Sequence, residues 1–364
     1  MCRIDLTNLP QEVSTEVNRL GVTYDFKRLS EKGQNGYLFL AKNRVLERDV
    51  AIKFYYWADG TRSHVEPKSL STVGSPYVIE VLDASLVGSE WAMFITPLCR
   101  NGDLDRYLET NRFGVKEALR FTSNLLEGVS ALHVKGYLHR DLKPENLLVS
   151  DSVTPLIADF GSVRVLPSGQ SHVPGSGHAV LYRPPESFTS RLYDRRGDVY
   201  QCGMVMYQVL GGRLPYSYHE YLNSQDRARY ANEHDDFERW RIVEGAIQSR
   251  ACQGKLLDLE SLPFFVPAGV RRVLATATAV DPSRRYENAS SFINAINTNI
   301  PRIVDWRWDQ DKPIAVKGGT RFRLSEEGGF FRVEQDKGNG WRGVPGSGRE
   351  SLKTQLRVIE KKAK

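Results

Sequence analysis

Apolar and polar positions change their pattern three times along the chain. Residues 9–20 (Leu-Pro-Gln-Glu-Val-Ser-Thr-Glu-Val-Asn-Arg-Leu) read as a short helix, with Pro10 suited to its first turn and Gly21 to its end. From Tyr24 to about Ile95 the runs become strand-like: Tyr37–Leu40, Val50–Phe54 and Trp91–Ile95, separated by turn residues. This predicts a small, mostly antiparallel sheet. From Gly102 to Asn299 the long periodic stretches are helical, as in Val115–Lys135, Asp198–Leu210, Gly269–Val280 and Ala289–Thr298. A strand-rich lobe followed by a helix-rich lobe is an α+β arrangement, and clefts between such lobes commonly hold ligands. Beyond Pro301 the pattern changes again. Aromatic and basic residues interleave (Trp306-Arg307-Trp308, Arg321-Phe322-Arg323, Phe330-Phe331-Arg332, Trp341-Arg342), and Glu326-Glu327-Gly328-Gly329 reads as a hairpin turn between strands. Residues 349–364 read as helical and basic. No internal repeat or low-complexity tract is present.

Composition narrows the class. With 364 residues, 40% of them hydrophobic, the chain can bury a large core. There is no run of eighteen apolar residues and no apolar leader after Met1, so neither a membrane span nor a secretory signal is expected. Cys2, Cys99, Cys202 and Cys252 lie far apart without CxxC spacing, which fits free thiols in a reducing, cytoplasmic setting. Residues 301–364 carry 15 of the 50 basic residues and 9 of the 44 acidic ones, so the net charge of +6 resides there. That places a boundary near Pro301.

The candidate chemistry lies in one ordered set of motifs. His139-Arg140-Asp141-Leu142-Lys143-Pro144-Glu145-Asn146 precedes the strand-like Leu147-Leu148-Val149, and Asp159-Phe160-Gly161 begins thirteen residues after Asn146. Val50-Ala51-Ile52-Lys53 stands upstream and Pro184-Pro185-Glu186 downstream. A lone His-Arg-Asp is weak, but together and in this order the motifs leave no room for coincidence. With them the sequence resembles the eukaryotic-type (Hanks-type) serine/threonine protein kinase family over roughly residues 24–300.

The resemblance implies a bilobal protein-kinase-like fold and the use of ATP and Mg²⁺. Phosphoryl transfer requires positioning and neutralisation of phosphate charge more than covalent work by the enzyme. On this reading Asp141 is the catalytic base. Asn146 and Asp159 hold Mg²⁺, which prefers oxygen ligands. Lys53 clamps the α- and β-phosphates, and Lys143 sits beside the γ-phosphate, a place where lysine marks the serine/threonine kinases. Gly33 and Gly36 let the backbone approach the phosphates, and Leu38 lies over the adenine. The lysine strand supplies Ala51 beside Lys53. Thr96 takes the gatekeeper place, and Pro97-Leu98-Cys99 form the strap whose Pro97 carbonyl and Cys99 N–H meet adenine.

Several positions depart from the family pattern. Glu31 replaces the first glycine of the phosphate loop. The helical glutamate that pairs with the lysine falls at Glu66, only thirteen residues after Lys53. Pro67 follows it, which puts Glu66 at the start of a short helix. Ala179 stands where the family has a threonine that bonds to the catalytic aspartate and lysine. Arg140 is expected to offer a docking charge to a phosphorylated loop residue, with Ser168, Ser171 and Ser176 as candidates. Asp198 is expected to brace the catalytic loop, and Arg285 to pair with Glu186.

The resulting division is a helical extension over 1–22, a kinase domain over 23–300 and a basic, aromatic-containing module over 301–364. The kinase N-lobe spans about 23–97 and its C-lobe about 102–300. The last module has two readings. One is contact with an acidic partner or nucleic acid through phosphate and stacking contacts. The other is a small β-rich appendage that packs its aromatics on the kinase lobe. For the whole chain, three function classes stand: an active protein kinase acting on a protein substrate, a pseudokinase that signals by binding, and a kinase-like enzyme with a non-protein acceptor.

Overall fold

The computed structural model describes residues 4–33, 36–57, 65–167, 169–174 and 179–363, without the side chains of residues 30–33, 65 and 67. Helix α1 (Gln11–Leu20) leads into β1 (Tyr24–Gly33), β2 (Gly36–Asn43) and β3 (Asp49–Tyr56). Helix α2 (Val65–Thr72), β4 (Asp83–Val87) and β5 (Trp91–Pro97) follow. The strands form one antiparallel sheet in the order β1-β2-β3-β5-β4.

Alternation along β2 and β3 gives this sheet two different faces. Phe39, Ala41, Val50, Ile52 and Phe54 bury one face against Val13, Val17 and Leu20 of α1, with Val87, Met93 and Ile95. Each such side chain removed from water contributes about 1.5–3 kcal/mol. The Glu12 carboxylate accepts a hydrogen bond from the Ser89 N–H, tying α1 to the β4–β5 turn. Pro10 stands just before the helix, not within its first turn, because its ψ of 143° is extended.

The register then fixes the second face. Leu38 lies opposite Lys53 and Lys53 opposite Phe94, while Leu40 lies opposite Ala51 and Ala51 opposite Thr96. Opposed residues share a face, so Leu38, Ala51, Lys53 and Thr96 all look toward the rest of the chain. Gly36 is required by the sheet itself, since a Cβ there would collide with the Phe54 carbonyl.

The second lobe is helical. It contains α3 (Leu104–Thr110), α4 (Val115–Val134), the short strands β6 (Tyr137–Leu138), β7 (Leu147–Val149), β8 (Pro155–Ile157), β9 (Arg164–Val165) and β10 (Val173–Pro174), and α5 (Pro185–Thr189). Strand β11 (Leu192–Tyr193) and helices α6 (Arg195–Val209), α7 (Ser224–Asn232), α8 (Asp236–Cys252), α9 (Ala268–Ala277) and α10 (Ala289–Asn299) complete it. Every residue of α6 from Gly197 to Val209 is buried. A helix buried on all sides must hydrogen-bond any polar side chain it carries, and α6 carries Asp198, Gln201 and Gln208.

Residues beyond α10 form a meander, β12 (Asp305–Asp309), β13 (Lys312–Lys317), β14 (Thr320–Glu327), β15 (Phe330–Asp336) and β16 (Arg342–Gly343), closed by α11 (Leu352–Ala363). The turn expected at Glu326–Gly329 joins β14 to β15, with both glycines at positive φ. Trp306 is buried and stacks on Phe265 at 5.2 Å, and the Trp308 Nε1–H donates to the Phe113 carbonyl at 3.0 Å. Gly114 permits this approach, since a Cβ there would collide with the Trp306 carbonyl. Arg321 pairs with Asp336 and Asp309, Arg323 pairs with Glu334, and both guanidiniums lie over the Trp341 ring.

Candidate active site

The catalytic loop runs from β6 to β7 and is held from below by α6. The buried Asp198 carboxylate accepts from the His139 N–H (3.0 Å), the Arg140 N–H (2.9 Å), the Tyr193 hydroxyl (2.7 Å) and His133 Nε2 (2.8 Å). Burial alone would raise its pKa. The His133 hydrogen bond and charge, together with the Arg140 N–H, outweigh that and hold it below the ordinary carboxylate value. Arg140 sits at φ +71° and Asp159 at φ +55°, a region that non-glycine residues rarely adopt. Such strain persists only where surrounding structure over-determines it, and it concentrates at functional sites.

Above this brace, the Asn146 Nδ2 group donates to the Asp141 carbonyl at 2.7 Å and to Asp141 Oδ2 at 2.9 Å. Lys143 Nζ lies 3.3 Å from the same Oδ2. Asp141 Oδ1 is buried and has no hydrogen-bond partner among the described residues. One carboxylate oxygen is therefore held by two side chains, and the other is enclosed beside them. Both protons of the Asn146 amide are engaged, which leaves its carbonyl oxygen as the acceptor.

Lys53 reaches across to α2. Its Nζ contacts Glu66 Oε1 at 2.8 Å and Oε2 at 2.9 Å, so the expected pair forms at the first turn of a helix of eight residues. Burial pushes the Lys53 ammonium down, but Glu66 and Asp159 together hold it above its ordinary value. Glu66 also accepts from the Phe160 N–H, and burial, opposed by Lys53, raises its carboxyl. Phe160 is buried edge-on against His139, with ring centroids 5.4 Å apart. Asp159 accepts from the Gly161 N–H at 3.2 Å. Burial opposes its charge, yet Lys53 and that N–H keep its carboxyl below the usual range.

The residues present fit a divalent cation. Asp159 is ionised and the Asn146 carbonyl is available, two oxygen donors of the kind Mg²⁺ takes alongside phosphate oxygens. No larger cluster of metal-ligating side chains occurs among the described residues.

The strap follows β5. Thr96 is buried on the same face as Ala51, the Leu98 N–H donates to the Asp49 carbonyl, and the Cys99 carbonyl accepts from the Gly102 N–H. Burial pushes the Cys99 thiol up to about 11, so it is not a reactive thiolate. The backbone of Gly33 pairs with Gly36 across the β1–β2 hairpin. The side chains of Glu31 and Pro67 lie outside the described residues, as do Ser168 and Ser176. Ser171 is exposed and bonded to His172. Arg140 donates to the Ser162 carbonyl at 3.3 Å, and burial and the charge of Arg164 depress its pKa.

The segment after Asp159 is anchored through β9 on β6 and through β10 on β11, and ends in the Arg285–Glu186 pair, with both contacts at 2.7 Å. Ala179 adopts φ +41°, another rare conformation, and brings no hydroxyl to Asp141. Sequence reasoning missed Gln201, His133, Tyr193 and the Arg183–Glu244 pair at 2.8 Å. The available signal was Gln201 one helical turn after Asp198.

A strand-rich lobe that carries a lysine–glutamate pair and a helical lobe that carries a braced aspartate loop are the arrangement of a protein kinase domain. The sequence model of the protein kinase domain matches residues 24–294, and the chain belongs to the protein kinase family. It is similar to the serine/threonine-protein kinase PrkC of Bacillus subtilis, at 26% identity over 77% of this chain and 41% of that protein. It is 33% identical to the serine/threonine-protein kinase ATG1a of Arabidopsis thaliana over 50% of this chain and 30% of that protein. The serine/threonine-protein kinase pkn2 of Myxococcus xanthus is also 33% identical, over 50% of this chain and 24% of that protein. The chain thus spans well under half the length of these relatives.

Proposed function

We propose that the chain transfers the γ-phosphate of ATP to serine or threonine hydroxyls of a protein substrate, with Asp141 as the base. The observation that carries this reading is the fixed Asp141 carboxylate, with Oδ2 held by Asn146 and Lys143 and the loop backbone held by Asp198. This carboxylate accepts the hydroxyl proton as the hydroxyl oxygen bonds to the γ-phosphorus. The bond from that phosphorus to the β–γ bridging oxygen breaks, and ADP leaves with the electron pair. Lys143 steadies the transferring group, and Lys53, kept cationic by Glu66, clamps the α- and β-phosphates. Mg²⁺, when bound by Asn146 and Asp159, supplies positive charge against the phosphates. Gly33 and Gly36 carry the backbone over the phosphates. Leu38, Ala51 and Thr96 enclose the adenine, and Pro97 and Cys99 offer it backbone groups. Lys143 and the serine/threonine-kinase relatives both favour hydroxyls of serine and threonine over tyrosine.

Residues 301–364 serve as a brace on the helical lobe: the buried Trp306, the Trp308 hydrogen bond and the acid-paired Arg321 and Arg323 favour this over nucleic-acid contact. A nucleic-acid titration at low salt checks it, with no binding expected. Among the described residues no helix is long and apolar enough to cross a membrane, and we place the activity in the cytoplasm. Incubation with Mg²⁺ and labelled ATP tests the main reading. Label on phosphoserine and phosphothreonine supports it, whereas label on phosphotyrosine alone, or ATP binding without transfer, overturns it.

A further inference from the structure

We propose that Gln201 is a positioning residue for Asp141, clamping both peptide groups that flank it and tying them to the segment that follows Ala179. The inference rests on the kinase reading above. Its ground is a convergence of three backbone hydrogen bonds on one buried amide, 2% exposed. Gln201 Nε2 donates to the Arg140 carbonyl, which belongs to the peptide entering Asp141, at 3.3 Å. Gln201 Oε1 accepts from the Leu142 N–H, which belongs to the peptide leaving Asp141, at 2.9 Å. The second Nε2 proton goes to the Tyr182 carbonyl at 3.3 Å. The Tyr193 hydroxyl lies 3.1 Å from Oε1, but its single proton goes to the closer Asp198 carboxylate at 2.7 Å. A primary amide has two donors, and both are used here.

The placement divides the labour along α6. Asp198 holds the N–H groups of residues 139 and 140, and one turn on Gln201 holds the groups on either side of Asp141. Ala179 lacks the hydroxyl that could have joined the substrate-side segment to Asp141 directly. The Tyr182 carbonyl, three residues later, is instead joined to the Asp141 backbone through the Gln201 amide. No apolar side chain of equal volume can do this, and a carboxylate lacks both donors. Because the clamp acts on backbone groups beneath the base, it governs where the Asp141 carboxylate points and leaves the nucleotide contacts of Lys53 untouched. Misplacement of a catalytic group by about 1 Å can cost on the order of a hundredfold in rate.

The test compares Gln201→Met with Gln355→Met, which removes an equally buried amide from the C-terminal module. Wild type and both variants are assayed for phosphate transfer, with sites counted by MgATP binding. Gln201→Met is expected to lose roughly ten- to a hundredfold in kcat with MgATP affinity within about twofold of wild type, while Gln355→Met keeps its kcat per site. Equal kcat per site for Gln201→Met overturns the inference and leaves the kinase reading intact. No transfer by wild type overturns the kinase reading instead. Should Gln201→Met not fold, Gln201→Asn and amide exchange in the wild type decide. A folded Gln201→Asn with undiminished kcat, or a Leu142 amide exchanging as fast as open loop amides, overturns the clamp. A reduced kcat with a protected Leu142 amide supports it.

Discussion

Two regions of the molecule use acids and arginines in opposite ways. Beneath the catalytic loop the charges are buried: Asp198 is fully enclosed among four donors, and the Arg285 side chain is 0% exposed against Glu186. Around the C-terminal sheet the arginines lie more open, with the side chains of Arg321 and Arg349 exposed by 43% and 68%, although Asp336 beneath Arg321 is buried. Buried pairs are costly to break singly because they leave an uncompensated charge in a place water does not reach. Open pairs are screened and contribute little. The buried set therefore fixes geometry. The open set keeps a small sheet wet on one face while Trp306 and Trp308 dock the other end of β12 on the helical lobe.

The comparison is broken most severely at Arg285. Arg285→Ala should cost about 3–5 kcal/mol by denaturant titration, since Glu186 is then left without its partner. Asp198→Asn should cost about 3 kcal/mol, because one acceptor oxygen cannot serve two backbone N–H groups, a hydroxyl and His133. The same site gives a pH signature. The Asp198 carboxyl lies below its ordinary value of 3.8 in the folded chain. Its contribution is therefore complete above that value and is lost as the pH falls through the still lower folded value. Acid titration of stability should show a smaller loss below pH 3.8 in Asp198→Asn than in the wild type. Gly114→Ala should cost about 1–3 kcal/mol by forcing Trp306 away, with Trp fluorescence shifting to the red while MgATP affinity holds. Arg349→Ala, at an open pair with Glu327, should cost about 1 kcal/mol or less by thermal melting.

The lobes and the protein kinase family were legible because local patterns carry them. Short apolar runs bounded by turn residues mark β2, β3 and β5, and the kinase-family motifs are short and ordered. The Lys53–Glu66 pair was legible too, since Pro67 dictates that Glu66 opens its helix. What stayed hidden depends on contacts far apart in the chain. Trp308 meets Phe113 across 195 positions, and Gln201 meets the Leu142 N–H across 59. No local period announces such partners. The positive φ of Ala179 was equally silent, because alanine gives no sign of a left-handed conformation. Gln201 left only one trace, its place one helical turn after Asp198.

The account stands most directly on Asp141. Single-turnover phosphate transfer from MgATP should be measured for wild type and Asp141→Asn, with nucleotide binding followed in parallel. The account predicts a loss on the order of 10²–10⁴-fold in the transfer rate with MgATP affinity little changed. A transfer rate in Asp141→Asn equal to that of the wild type would contradict it.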